Sequence, residues 1–337
     1  MKALYPIETP CKAKRIRFVN PINPVSWAYM KEMRENNRTR RIYDENPYVE
    51  VYQLREHVYG LFNLNLDGMG DVWCFLVVGP EKALLIDTAY GLGDNQALAD
   101  RLTGGKPLYV VNTHHHCDHA FGNCRFDTVY CHEYLVPYLE RQDEHIWDYL
   151  FDEKGQCKFV EFDRQDLPTF RKYRIEGVKN HHIFDLGGDH QIELIWTGGH
   201  AAGHAMFLDN KSRILFSGDN VCSDMCGIGS GPKKDFDPYG QFCNIETFRD
   251  QLQGIVERME EFDYVFPSHF VLNLESRVLV DMLDTCNAIL ENPQDYDFLE
   301  RRESAKVGGP VRIRMHKAVR GFSSIAYMEG GVYAPKG

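Results

Sequence analysis

Seven consecutive residues, Thr113-His-His-His-Cys-Asp-His119, bring four imidazoles and a carboxylate into one short stretch. It follows Pro107-Leu-Tyr-Val-Val-Asn112, whose β-branched and aromatic content reads as a buried strand. In an extended run, residues two apart face the same way, so His114 and His116 can present two imidazoles to one cation while His115 points elsewhere. Asp118 and His119 follow as the chain turns into the next element, where they can reach a second cation a few ångströms away. Neutral imidazoles and carboxylates are what zinc and similar divalent ions accept. Metal-assisted chemistry is therefore expected, against the plainer alternative of a histidine-rich surface loop.

The elements around this stretch are short and alternate in type. Residues 1–47 carry five prolines among charged residues and read as an irregular extension with one helix near Trp27 to Asn37. From Tyr48 a meander of strands is expected at Val49–Leu54, Val58–Leu66, Val72–Val78 and Lys82–Asp87, then a helix over Leu92–Leu102. Residues 133 to about 174 read as a helical, aromatic insertion, its aromatics mostly core. Strands resume at His182–Leu186, Gln191–Thr197, His204–Asp209 and Arg213–Ser217. Helices follow at Ile245–Phe262 and Leu274–Glu291, separated by a short strand at Tyr264–Pro267. Residues 301–337 add two strands, Val311–Met315 and Ser324–Met328, as a C-terminal extension packing on a 48–300 catalytic domain. Two strand-rich blocks that each lead into helices suggest a duplicated sandwich.

Composition narrows the function classes. The chain has 337 residues, with 38 Lys+Arg against 49 Asp+Glu and a formal charge of −11, a field that repels phosphate backbones and argues against a nucleic-acid partner. No window is apolar for long enough to span a membrane, and the N-terminus lacks a signal-peptide pattern, so a cytoplasmic protein is expected. Ten cysteines at this length are not the density of a disulfide scaffold.

The histidine stretch resembles the metallo-β-lactamase superfamily, and four further motifs occur in that family's order: Asp87 in Leu84-Leu-Ile-Asp-Thr88, His200 in Thr197-Gly-Gly-His200, Asp219 in Ile214-Leu-Phe-Ser-Gly-Asp219, and His269 in Val265-Phe-Pro-Ser-His269. The resemblance implies an α+β fold, an αββα sandwich, here with N- and C-terminal extensions and the insertion. It also implies that His114, His116 and His200 hold one metal and that Asp118, His119 and His269 hold a second, with Asp219 bridging. Two dications less the carboxylates of Asp118 and Asp219 and a hydroxide leave the pocket positive by about one charge, which suits a small, possibly anionic substrate. Asp87 is expected to accept a hydrogen bond from a ligating imidazole rather than to ligate. His204 either lines the pocket or is a satisfied strand histidine.

These readings point to a dinuclear hydrolase cleaving a small ester, lactone, thioester or amide by attack of a metal-bound hydroxide, with Asp118 and Asp219 as its catalytic carboxylates. Zinc is the default ion, with iron or manganese as alternatives. A mononuclear iron sulfur or persulfide dioxygenase, using only the first three histidines, is the alternative reaction. Trp73 and Met69 in the hairpin loop 64–73, and Tyr239, Lys233 and Lys234 in the glycine-rich loop 220–244, are candidates for substrate contact. The extensions could also form a homo-oligomer contact.

Overall fold

The computed structural model describes residues 7–16, 23–68, 70–233, 235–302 and 311–335. Two mixed sheets face one another. The first has eight strands in the spatial order Arg174–Val178, Thr128–His132, Leu108–Val111, Ala83–Ile86, Val72–Val78, Val58–Asn63, Asn46–Arg55 and Arg41–Tyr43. The second has six, in the order Ile183–Asp185, Gln191–Trp196, Ala205–Asp209, Ile214–Gly218, Tyr264–Pro267 and Leu274–Glu275.

The run Val72-Trp-Cys-Phe-Leu-Val-Val78 is apolar throughout because both faces of its strand are covered. Phe75 and Val77 point between the sheets, where they meet Phe207, Phe216 and Phe266 of the second sheet. Cys74 and Leu76 point outward beneath the helix Asn95–Thr103. On the second sheet Ile214 and Phe216 face inward, while Leu215 meets the helices Ile245–Val256 and Val278–Glu291. The period-two alternation of these strands thus produces four layers, helix, sheet, sheet and helix. This is the expected αββα sandwich, antiparallel meander included.

Three segments differ from the simplest reading of the sequence. The strand Arg41–Tyr43, from the stretch read as an extension, is the edge strand of the large sheet. Within 133–174 the only α-helix is the four-residue Val136–Leu139, accompanied by three 3₁₀ turns. Side-chain carboxylates compete with helix formation there: Asp143, Asp152 and Asp163 each accept a hydrogen bond from the backbone N–H two residues on. The insertion's Trp147, Phe151 and Phe159 are buried with Tyr48 and Tyr90, as core aromatics. The C-terminal strands Arg312–Val319 and Ser323–Tyr327 join Phe298–Arg302 and the two-residue strand Cys226–Gly227 in a sheet of their own. No helix among the described residues is long and apolar enough to cross a membrane.

Candidate metal centre

Parallel pairing decides where the chemistry sits. Ala83–Ile86 runs parallel to Leu108–Val111, and Ile214–Gly218 runs parallel to Tyr264–Pro267. Residues just beyond the carboxyl ends of parallel strands line the crevice where ligands bind in such sheets. Asp87, His114, His116, Asp219 and His269 all lie there, one to five residues past a strand end. The chain then turns through the short helix Cys117–Ala120, which brings Asp118 and His119 to the same crevice. His200 enters from the Thr197-Gly-Gly turn after the strand Gln191–Trp196. The two sheets are tied together beside the site by Trp73 N–H donating to Ser268 O at 2.7 Å and by an antiparallel bridge between Val72 and His269.

All seven residues converge in three overlapping groups: His114 with His116 and His200, His114 with His119 and Asp219, and Asp118 with His119 and His269. Within each group the candidate ligand atoms lie within 4.8 Å of one another. The Nδ1 of His116 is 3.0 Å from the Nε2 of His114 and 2.9 Å from the Nε2 of His200. Asp219 lies between the groups, its Oδ2 3.5 Å from His200 Nε2 and its Oδ1 3.3 Å from His269 Nε2. His115 points away and stacks on Tyr138 with ring centroids 4.5 Å apart.

The outward ring nitrogens of His114, His119, His200 and His269 are engaged, which fixes the tautomers of those four rings. His119 Nδ1 donates to Asp87 Oδ2 at 2.8 Å, His200 Nδ1 to the Gly227 carbonyl at 2.7 Å, and His269 Nδ1 to the Asp71 carbonyl at 2.8 Å. Thr113 Oγ1 donates to Asp87 Oδ2 at 2.7 Å and therefore accepts from His114 Nδ1 at 3.0 Å. Four Nε2 lone pairs are thereby aimed at the centre, as metal ligation requires. Asp87 is buried with a left-handed backbone, φ 64°, and its other oxygen accepts from Thr113 N–H at 2.8 Å.

Two buried atoms at the centre, His119 Nε2 and Asp219 Oδ1, make no well-aligned hydrogen bond among the described residues and lie 3.4 Å apart. Orphaned buried polar atoms are uncommon, and a shared cation is one explanation that suits a nitrogen and a carboxylate oxygen side by side. The electrostatics differ across the site. Burial, reinforced by neighbouring imidazoles, holds His114 and His116 far below the ordinary histidine range, so they are neutral and ready to ligate. Burial also acts to lower His119 and His269, but the carboxylates of Asp219 and Asp118 overcome it and raise them to about 9 and about 10 in the ion-free site. A divalent ion binding there displaces those protons. Donor types, tautomers and orphaned atoms together fit divalent metal.

The substrate-contact candidates fare differently. Trp73 is fully buried between the sheets, its indole N–H donating to the Phe270 carbonyl at 3.0 Å, so it cannot form a pocket wall. His204 is also fully buried; its Nε2 accepts from the Asp219 N–H at 3.1 Å and its Nδ1 contacts Thr197 Oγ1 at 2.9 Å. It is the satisfied histidine of the two readings, and it orients Asp219 through the backbone. Tyr239 is half-buried against Tyr134, centroids 4.6 Å apart. Met69 and Lys234 lie outside the described residues. Sequence reasoning missed Asn65, whose side-chain amide donates to Asp118 Oδ2 at 2.8 Å, and Asn220, whose Oδ1 accepts from the His200 N–H at 3.0 Å. Asn220 could have been suspected from its position directly after Asp219, but Asn65 carries no spacing signal.

The family model of the metallo-beta-lactamase superfamily matches residues 67–252, and the chain belongs to that superfamily. It is a hydrolase with a divalent-metal site. The chain is 29% identical over 240 residues to the acyl-coenzyme A thioesterase MBLAC2 of Homo sapiens, covering 65% of this chain and 78% of that protein. It is 26% identical over 129 residues to a hydroxyacylglutathione hydrolase of Mesorhizobium japonicum, covering 38% and 40% respectively. Among solved structures, a metallo-beta-lactamase from Pontibacter korlensis aligns with a TM-score of 0.49 and 18% identity, covering 71% of this chain and 99% of that one.

Proposed function

We propose that the enzyme is a dinuclear hydrolase of small acyl thioesters and related esters. His114, His116 and His200 would hold one ion, Asp118, His119 and His269 the other, and Asp219 would stand between them. The observation that carries this reading is the convergence of all seven side chains around two buried, unpartnered ligand atoms. An iron dioxygenase using three histidines alone would leave Asp118, His119 and His269 buried together with no role. Support for thioesters comes from two relatives named for acyl-coenzyme A and hydroxyacylglutathione, both acyl compounds of thiols.

When bound, divalent ions supply Lewis acidity toward the substrate carbonyl and make water a nucleophile near neutral pH; zinc is the ion we propose. The chain's own groups do the rest. Asn65 holds Asp118 by one oxygen, which leaves the carboxylate oriented to take the proton that attacking water loses and to return it to the departing thiolate or alkoxide. The carbonyl carbon gains a bond to oxygen and loses its bond to sulfur or oxygen, so the products are a carboxylic acid and a thiol or alcohol. Asp219 is kept in place by its backbone hydrogen bond to His204.

The test is metal analysis of protein purified without chelator, with turnover of an acyl-thioester and ester panel. The expected result is about two ions per chain, thioester hydrolysis lost on chelation and restored by zinc, and no turnover in Asp219→Ala or His116→Ala. One iron per chain with oxygen consumption, or wild-type rates in either variant, would overturn the reading.

A further inference from the structure

Within the strand Arg312–Val319, beyond the segment that matches the superfamily, Arg314 lies across Gly227 from the candidate ligand His200. The route is through Gly227. The strand Cys226–Gly227 pairs in parallel with Ile325 and Ala326 of the C-terminal sheet, and Arg314 belongs to the next strand of that sheet. The same Gly227 offers the carbonyl that receives the His200 Nδ1–H. A Cβ placed on Gly227 would be 3.6 Å from Arg314 Nη1 and 3.7 Å from His200 Nδ1, so the guanidinium and the candidate ligand imidazole flank one glycine.

The donors of Arg314 are unevenly used. Nε donates to Glu300 Oε2 at 2.8 Å, and Nη2 contacts the same carboxylate oxygen and, at 3.2 Å, the Met225 sulfur. Nη1, the nitrogen on the Gly227 side, has no hydrogen-bond partner among the described residues. Glu300 and Arg314 are directly opposed cross-strand partners, and both are largely buried, so the guanidinium plane is held in one orientation. A pair that served only to pin two strands would not require the remaining donor edge to face Gly227 and His200.

Resting on the thioester reading above, we infer that Arg314 is a specificity-determining residue that binds a carboxylate carried by the substrate a few bonds from the scissile carbonyl. Its closeness to His200 limits the reach to a few bonds. Sharing its charge with Glu300 suits it to a monoanion rather than a polyphosphate. The carboxylate can lie on the acyl chain or on the thiol.

The test uses the full, metal-loaded chain and three thioesters: hexanoyl-pantetheine, which is neutral, glutaryl-pantetheine, with a carboxylate on the acyl side, and hexanoyl-glutathione, with carboxylates on the thiol side. Wild type should prefer one of the two anionic thioesters over the neutral one in kcat/KM, and the preferred arm identifies the source. Arg314→Gln should shrink that preference by about ten- to a hundred-fold, chiefly through KM, the size of one charge-assisted hydrogen bond. The double variant Arg314→Gln with Glu300→Gln keeps a neutral cross-strand pair and should show the same collapse, even where the single variant folds poorly. A wild-type preference retained by the double variant, or no preference in wild type, would overturn the inference. If wild type cleaves none of the three, the thioester reading fails instead. Calorimetric titration with glutarate then decides the role of Arg314: binding about ten-fold weaker in the variant supports it, and equal or absent binding overturns it.

Discussion

Asp87→Asn separates orientation of a ligand from ligation itself. In the native chain the carboxylate accepts three hydrogen bonds, from Thr113 N–H at 2.8 Å, Thr113 Oγ1 at 2.7 Å and His119 Nδ1 at 2.8 Å. Asparagine is isosteric and tolerates the left-handed backbone at φ 64°, so the substitution adds little strain. Its amide, however, has one acceptor where two are needed. If the carbonyl stays on the Thr113 N–H, the NH₂ faces His119 Nδ1, which must then give up its proton. The His119 ring proton moves to Nε2, the atom that should ligate. Loss of such an orienting partner typically weakens metal binding ten- to a hundred-fold, about 1.4 to 2.8 kcal/mol. Competition with a chromophoric chelator should show this loss mainly for the ion proposed for Asp118, His119 and His269. The ion proposed for His114, His116 and His200 should be less affected, because Asp87 reaches that group only through Thr113. Thermal melting of the ion-free protein should fall by the equivalent of about 1 to 3 kcal/mol for the lost hydrogen bonds to the buried, charged carboxylate. Unchanged affinity for the second ion in a folded variant would refute the tautomer argument.

Gly218→Ala should destabilise the protein by about 2 kcal/mol or more and lower turnover, because the backbone there has φ 56° and the new Cβ would be 2.5 Å from His204 Nε2, the atom that positions Asp219; chemical denaturation and a rate assay check both. Glu50→Gln leaves the buried Arg34 guanidinium, bonded to Glu50 at 2.8 Å, without its counter-charge and should cost about 3 to 5 kcal/mol by the same denaturation measurement. Burial acts to raise the Glu193 carboxyl, but hydrogen bonds from Arg258 and His181 overcome it and hold the group below its ordinary 4.5. A depressed folded pKa gives stability that is present above the unfolded value and lost as pH falls through the folded one, so the gap in melting temperature between wild type and Glu193→Gln should close below about pH 4.5.

The candidate ligands were legible as a cluster because metal chemistry constrains both residue type and local spacing. His114 and His116 stand two apart on extended chain, Asp219 and His269 sit just past apolar runs that had to be strands, and Asp118, His119 and His200 lie on a short helix and a glycine turn close behind strands. The same apolar runs made the sandwich legible, since Val72–Val78 and Ile214–Gly218 have no polar face to give to solvent. Where side chains compete with the backbone, that signal weakens. The aspartates of 133–174 bond their own neighbours' N–H groups, and an aromatic-rich stretch that looks helical becomes a series of turns. Trp73 shows a different limit: its loop lies beside the site, but strand alternation turns the indole toward the opposing sheet, which residue type alone does not reveal.

What the sequence hid is mostly contact at long range. Asn65 meets Asp118 across 53 positions, and Asn23, the N-cap of the helix Pro24–Glu35, donates to the Ser223 carbonyl across 200. The pairing of Cys226–Gly227 with Ile325 and Ala326 joins about a hundred positions and leaves no periodicity, because a two-residue strand is too short to show one. That pairing nonetheless places the Gly227 carbonyl that sets the His200 tautomer. A candidate metal site that reads as a set of local motifs is therefore completed by a terminal sheet whose role depends on topology. Substitutions at Ile325 or Ala326 that break the pairing should consequently disturb metal binding at His200, although neither residue touches the ion's ligands.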